Sequence, residues 1–325
     1  MVIDFRLRPP YDETFKYLTS PTLEKAYTYI TGFDTPKSLI NFSMEECIRE
    51  MDEAGITQGV VTGRRTCTTM VVKEGAEQAN NDAIIQMMKE YPGRFIGAYG
   101  FDPTEGKRAI DWMDEYILNG PFTAALVEPG MASQPMSLED ERVLPFYDYC
   151  ESNNIPVLLA FGELNYRAIR HMTIEALDNV LEMFPKMKTT VFHGGWPYTN
   201  EICWVAFNHD NLYISPDYTM LPTFGGHQDF INYANSFLQD KFIFGSAYPF
   251  CAMKPIKEYY DSVLKPEVRD KVMYYNALHA LNLPIPEDAP EIIPHYVGAP
   301  IPEEGSDLDL WKKYKKGTYR TMWDK

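Results

Sequence analysis

Two arginines near the N-terminus are the first residues here whose types and spacing could do chemistry. In the run IDFRLRPP, Arg6 and Arg8 flank Leu7. Alternate residues of a strand share a face, so at a strand end both guanidiniums can point into one mouth. Planar guanidinium forks suit carboxylate or phosphate oxygens, held by two parallel hydrogen bonds. A second pair, Arg64 and Arg65, follows the next apolar run. Neighbouring loops would then bring two to four guanidiniums to one pocket. The competing reading pairs some of them with internal acids such as Asp4, Glu128 or Glu163.

His193 stands in HGG after a buried-looking run. It reads as a general acid or base with an ordinary pKa of about 6.5, or as a histidine held by backbone under a glycine turn. The other five, His171, His209, His227, His279 and His295, fall on helices or in tails, with His227 in GGHQ the exception to watch. Glu128 (ALVEPG), Glu163 and Asp217 (YISPDY) are strand-end acids, each a candidate base or arginine clamp, and Glu128 and Asp217 are preferred. Tyr248, Trp196, Tyr99 and Phe161 would wall the pocket, excluding water and stacking a planar substrate, or would fill the top of the fold. Ser246 has no base visible beside it, and Cys67 reads more readily as a buried thiol than as a nucleophile.

These residues need a frame. Strand candidates fall at residues 2–5, 59–62, 95–99, 124–127, 157–160, 189–192, 212–214 and 242–244. Helix-period segments lie between them at 43–54, 75–90, 107–118, 138–152, 167–184, after 198, at 229–239 and at 256–263. The first helix carries its own punctuation: Ser43 as cap, Glu46 three residues on, Gly55 at the end. Eight strands alternating with helices predict the α/β class and a (β/α)8 barrel of the TIM type. A doubly wound sheet is the alternative, but no glycine-rich fingerprint follows the first strand. The barrel takes residues 1–284. A proline- and acid-rich extension, 285–325, is expected to pack on the barrel or on a partner subunit through Trp311, Tyr314, Tyr319 and Trp323.

Composition limits the partners. The 325 residues carry 30 Lys+Arg against 46 Asp+Glu, a formal charge of −16. Such a chain is repelled by phosphate backbones and anionic lipid, so neither nucleic acid nor membrane is expected as a partner. The five cysteines are scattered and form no CxxC pair, which suggests neither a zinc ribbon nor a disulfide framework. No run approaches the roughly 18 apolar residues of a membrane span. A cytoplasmic protein is expected.

Four phrases occur together in order: NNDAIIQMMKEYPGRFIGAYGFDP (80–103), VFHGGWP (191–197), FIFGSAYPF (242–250) and NALHALNL (276–283). On these the chain resembles the amidohydrolase-related branch of the amidohydrolase superfamily, which includes aminocarboxymuconate-semialdehyde decarboxylase, aromatic-acid decarboxylases and lactone hydrolases. The resemblance spans roughly residues 1–284 and implies a TIM-like barrel with its site at the C-terminal strand ends. The family's phrase after the first strand holds His-x-His; here Arg6 and Arg8 stand in those places. Ala160 stands at or beside the histidine after the fifth strand, and Ala247 replaces the aspartate of Gly-Ser-Asp-Tyr-Pro. Only His193 matches a family ligand. Catalytic zinc sites generally use three protein ligands, so no metal and no other cofactor is expected.

The resulting expectation is a metal-independent enzyme on a small anionic substrate. It would hydrolyse a lactone or ester, with His193 and Asp217 or Glu128 as catalytic groups. Arg6, Arg8, Arg64, Arg65, Tyr248, Trp196 and Phe161 would bind substrate. Non-oxidative decarboxylation or isomerisation of a small carboxylic acid is one alternative, and an inactive binding protein another. A homo-oligomer is expected, with the C-terminal extension as one route to it.

Overall fold

The computed structural model describes residues 1–64, 79–162 and 168–292. Seven parallel strands pair in sequence order: β1 (Ile3–Leu7), β2 (Gln58–Thr62), β3 (Phe95–Gly100), β4 (Ala124–Val127), β5 (Val157–Ala160), β6 (Thr189–Phe192) and β7 (Leu212–Ser215). The last gap is bridged by the segment expected as the eighth strand. Ile243 N–H donates to Ile214 O (2.8 Å), and Phe5 N–H donates to Phe244 O (3.0 Å). Only single bridges form there, Ile214 to Phe242 and Leu7 to Tyr248, so the eighth stave is irregular and not a laddered strand. The fold is a TIM barrel.

Period-two alternation divides the strand residues between two clusters. Ile3, Phe5, Val60, Ile96, Ala98, Ala124, Leu126, Leu158, Phe192, Tyr213 and Ile243 fill the lumen. Leu7, Val61, Tyr99, Ala125, Val127, Leu159, Val191 and Ile214 pack outward against the helices. The helix Asn276–Ala280 supplies Ala277, Leu278 and Ala280 to the lumen cluster, plugging the end from which the strands start.

β1 breaks the alternation. Its pairing with β2 slips between Asp4 and Leu7, a β-bulge. A bulge adds one residue and reverses the facing of the residues beyond it. Phe5 thus lies in the lumen, Leu7 lies outside, and Arg6 and Arg8 turn inward above Phe5.

Several helices differ from the sequence expectation for local reasons. The helix at 43–54 forms as Met44–Ala54, capped by the Ser43 hydroxyl accepting from Glu46 N–H and closed by Gly55 at φ 72°. The one expected over 138–152 starts only at Leu144, because Asp140 turns back to accept from the Arg142 backbone and guanidinium. The stretch 167–184 splits into a short 3-10 turn, Ile169–His171, and the helix Ile174–Met183, because Thr173 caps a new start by accepting from Ala176 N–H. Residues 107–118 are α-helical over Lys107–Met113 and then widen into a π-helix, Asp114–Leu118. The helix expected over 229–239 runs His227–Ala234. Between β1 and β2 the chain inserts a 3-10 helix, Glu13–Thr19, and the helix Pro21–Thr31. Among the described residues no helix is long and apolar enough to cross a membrane. Residues 293–325, with the four tail aromatics, lie outside the described residues.

Candidate active site

Six of the charged candidates, Arg6, Arg8, Arg64, Glu128, His193 and Asp217, collect where the strands end. The lumen face of β4 runs Ala124, Leu126 and then Glu128, so period two carries an acid to the rim. By the same count Thr62 ends β2, Ser215 ends β7 and Ala160 ends β5 on the lumen side.

Arg6 is fully buried. Its guanidinium carbon lies 4.4 Å from the centre of the Phe192 ring, a cation over an aromatic face. Nε, Nη1 and Nη2 have no hydrogen-bond partner among the described residues. The bulge takes Arg6 N–H out of the ladder, and Asp4 Oδ1 accepts it at 3.1 Å. The same oxygen accepts Ser246 N–H at 2.8 Å, so one carboxyl ties β1 to the eighth stave. Burial pushes the Asp4 pKa up to about 7, against the hydrogen bonds from Ser246 and Arg6.

Arg8 is buried beside a second group. Arg64 donates from Nε to Glu128 Oε2 (2.9 Å) and from Nη2 to Oε1 (2.8 Å), a bidentate pair. Arg64 N–H donates to Asn80 Oδ1 at 2.7 Å, which fixes the loop after β2. Burial alone would raise the Glu128 carboxyl, but Arg64 in contact, with Arg8 and Arg6 nearby, brings it below the ordinary carboxylate value. A carboxylate so held is an anchor for an arginine and a poor proton acceptor. Burial, then the like charges of Arg64 and Arg6, brings the Arg8 guanidinium down to about 10. Arg8 Nε and Nη2 have no partner among the described residues.

On the other side of the mouth stand His193 and Asp217, both fully buried. Asp217 faces His193 Nδ1 at 3.0–3.1 Å and accepts His193 N–H at 3.2 Å. Asp217 is itself held by Tyr218 N–H, which donates to Oδ1 at 2.7 Å. A carboxylate on Nδ1 sets the tautomer and leaves Nε2 to exchange protons with a ligand. Both residues sit in the left-handed region, His193 at φ 57° and Asp217 at φ 46°, with Ala247 at φ 54° on the eighth stave. Such backbone costs of order 1 kcal/mol at a non-glycine residue and concentrates at functional sites. Gly245 lets these groups crowd: a β-carbon there would lie 3.7 Å from Arg6 Cβ, 3.5 Å from Asp217 Cβ and 2.9 Å from Ser215 Oγ.

The aromatic candidates are placed differently. Tyr248 is buried with its hydroxyl 2.6 Å from Ser38 Oγ, in the layer between barrel and helices, because the turn at Ala247 re-aims it. Phe161 and Tyr99 pack in the larger apolar cluster. Trp196 is half-buried, donating Nε1–H to Gly225 O at 3.0 Å and meeting Phe224 edge-on. Arg65, Cys67 and Glu163 lie outside the described residues. Asp4 was legible only as an arginine partner, and Asn80 and Ser215 carried no sequence signal. The bulge that gives Asp4 its role leaves no mark in IDFRLRP.

Among the described residues the donor set at these strand ends does not fit a metal. Where the resemblance implies ligands stand two guanidiniums and two methyl groups, Arg6, Arg8, Ala160 and Ala247, none with a lone pair to give. Among the described residues no three His, Cys, Asp or Glu side chains gather as a metal site would require.

A barrel with its polar residues at the C-terminal strand ends defines a TIM-barrel enzyme fold. The amidohydrolase family profile matches residues 44–283, and the chain belongs to that family. Its structure is similar to an uncharacterised TIM-barrel protein of Bordetella bronchiseptica, 34% identical over 86% of this chain and 98% of that one, with a TM-score of 0.77. A 2,6-dihydroxybenzoate decarboxylase from Rhizobium shares the fold at 13% identity and TM-score 0.64, covering 86% of this chain and 98% of its own. So does the 4-oxalomesaconate hydratase of Rhodopseudomonas palustris, at 17% and 0.59, covering 87% and 96%. No curated protein matches the sequence.

Proposed function

We propose that this amidohydrolase-family chain hydrolyses a small anionic lactone or ester without a metal. The observation that carries the reading is the Arg6 guanidinium: buried, unpartnered on all three nitrogens among the described residues, and adjacent to the His193–Asp217 pair. An uncompensated buried charge is costly, and a ligand carboxylate or a developing oxyanion supplies the compensation.

The steps follow from the placement. The acyl oxygen lies against Arg6, whose N–H groups stabilise charge as the carbonyl becomes tetrahedral. His193 Nε2 takes a proton from water, with Asp217 holding Nδ1–H and balancing the imidazolium. The hydroxide adds to the acyl carbon, the C–O bond to the leaving oxygen breaks, and His193 returns the proton to that oxygen. Glu128 takes no proton in this scheme; it holds Arg64.

Turnover of a lactone panel tests the reading. It should survive exhaustive chelation and be lost in Arg6→Met and His193→Ala. A stoichiometric tightly bound divalent ion required for turnover would overturn it. The second reading is non-oxidative decarboxylation, favoured by the decarboxylase among the structural neighbours. There the arginines seat carboxylate, the C–C bond breaks, carbon dioxide leaves, and protonated His193 gives its proton to the carbanion. Release of carbon dioxide, with no ring-opened acid, would select it.

A further inference from the structure

The two inward arginines of β1 have different surroundings, and the difference bears on what each binds. Arg6 stands over Phe192 next to Asp217. Arg8 stands in the field of Arg64, Glu128 and the Tyr17 phenol. Its unpartnered nitrogens, among the described residues, are Nε and Nη2. Those two form one edge of the guanidinium, and that edge of Arg64 is the one that holds the Glu128 carboxylate, at 2.9 and 2.8 Å. The site therefore contains both a filled carboxylate fork and an unfilled copy of it, side by side. The charges agree. Arg64 and Glu128 cancel, and Asp217 serves His193. Arg6 and Arg8 leave two positive charges facing the mouth, with Asp4 beside them.

We infer that the substrate is a dianion: one carboxylate seats on the Arg8 Nε/Nη2 edge as Glu128 seats on Arg64, while the second anionic group, next to the reacting carbon, lies on Arg6 beside His193. Arg8 is then a specificity-determining residue and Arg6 the residue at the reacting carbon. The inference rests on the anionic-substrate reading given above, and adds to it the second charge and the division of labour.

Isothermal titration of the full chain with glutarate, and with its monoamide, separates the possibilities. The two probes differ by one charge and one fork-accepting end. Glutarate should bind at least about tenfold tighter than the monoamide, because charge-assisted bidentate bonds are the strong ones. Arg8→Gln should collapse that ratio to about one by weakening glutarate alone. Arg8→Lys, which keeps the charge and loses the fork, should fall between. Equal affinity of the two probes for the unaltered chain would overturn the inference while the anionic reading stands. So would a ratio unchanged in Arg8→Gln or Arg8→Lys that melts like the parent. Because the parent ratio is decisive by itself, a misfolded variant does not rescue the idea. Failure of both probes to bind at millimolar concentration would overturn the inference and the anionic reading together.

Discussion

The two ends of this barrel treat buried charge in opposite ways. At the end where the strands start, cations are matched. Lys271 donates to Asp240 at 2.6 Å, Lys241 to Asp210 O at 2.7 Å, and Lys188 to His279 O at 2.6 Å. His209 pairs with Asp178 at 2.7 Å, and Asn276 donates to Gln239 O and Phe242 O. At the end where the strands finish, Arg6 has only an aromatic ring among the described residues, and Arg8 has unpartnered nitrogens. Satisfied polar groups under a barrel are architecture. Unsatisfied ones, which cost stability in the free protein, mark a place shaped for something else to complete.

The contrast can be broken from either end. The largest effect should come from His193→Ala at the finishing end. It should lower kcat by about 10³-fold, within the range of general acid–base catalysis, as steady-state kinetics would record. Asp240→Asn at the starting end strands Lys271 and should cost about 3 kcal/mol in urea unfolding, with kcat/KM unchanged. If it cut turnover and spared stability, the division between the two ends would fail. Arg6→Met removes an uncompensated charge. It should lower turnover by about 10²-fold and still raise unfolding stability by about 1 kcal/mol, which a denaturant titration would detect.

The smallest effect concerns Asp4. Burial raises its pKa to about 7, so the folded state favours the protonated form. That contribution is full below about pH 4 and is lost as pH rises through about 7. Asp4→Asn keeps an oxygen for Arg6 and Ser246 N–H and cannot ionise. The parent should therefore lose about 1 kcal/mol relative to the variant between pH 6 and 8, measured by unfolding at both values.

Much of the frame was legible because a parallel strand buried on both faces reads as a short unbroken apolar or β-branched run. The strands at 124–127, 157–160 and 189–192 occupy the residues that such runs assign them. The eighth stave was readable as an apolar run, but its end was not. Gly245 and Ser246 follow Phe244, and the left-handed Ala247 sends Tyr248 outward, a backbone choice that no side-chain pattern reports. The helix start at Leu144 depended on Asp140 folding back on Arg142, a local hydrogen bond that competes with helix. In the site, the charged candidates Arg6, Arg8, Arg64, Glu128, His193 and Asp217 lie at the rim, whereas Tyr248 and Phe161 pack outward. Which of them pair was invisible. Glu128 and Asp217 read alike as strand-end acids, and only the fold gives one an arginine and the other an imidazole.

The slip in β1 has a consequence for how this scaffold varies. A regular strand spends every backbone N–H on its neighbours, so a change at its rim risks the ladder that holds it. Here the pairing is already interrupted between Asp4 and Leu7, and a side chain, not a strand, holds Arg6 N–H. A change of side chain at 6 therefore touches no ladder bond, whereas Arg8 N–H donates to Tyr248 O and belongs to the closure of the barrel. A one-residue irregularity makes position 6, and not position 8, the loosely tied place on this rim.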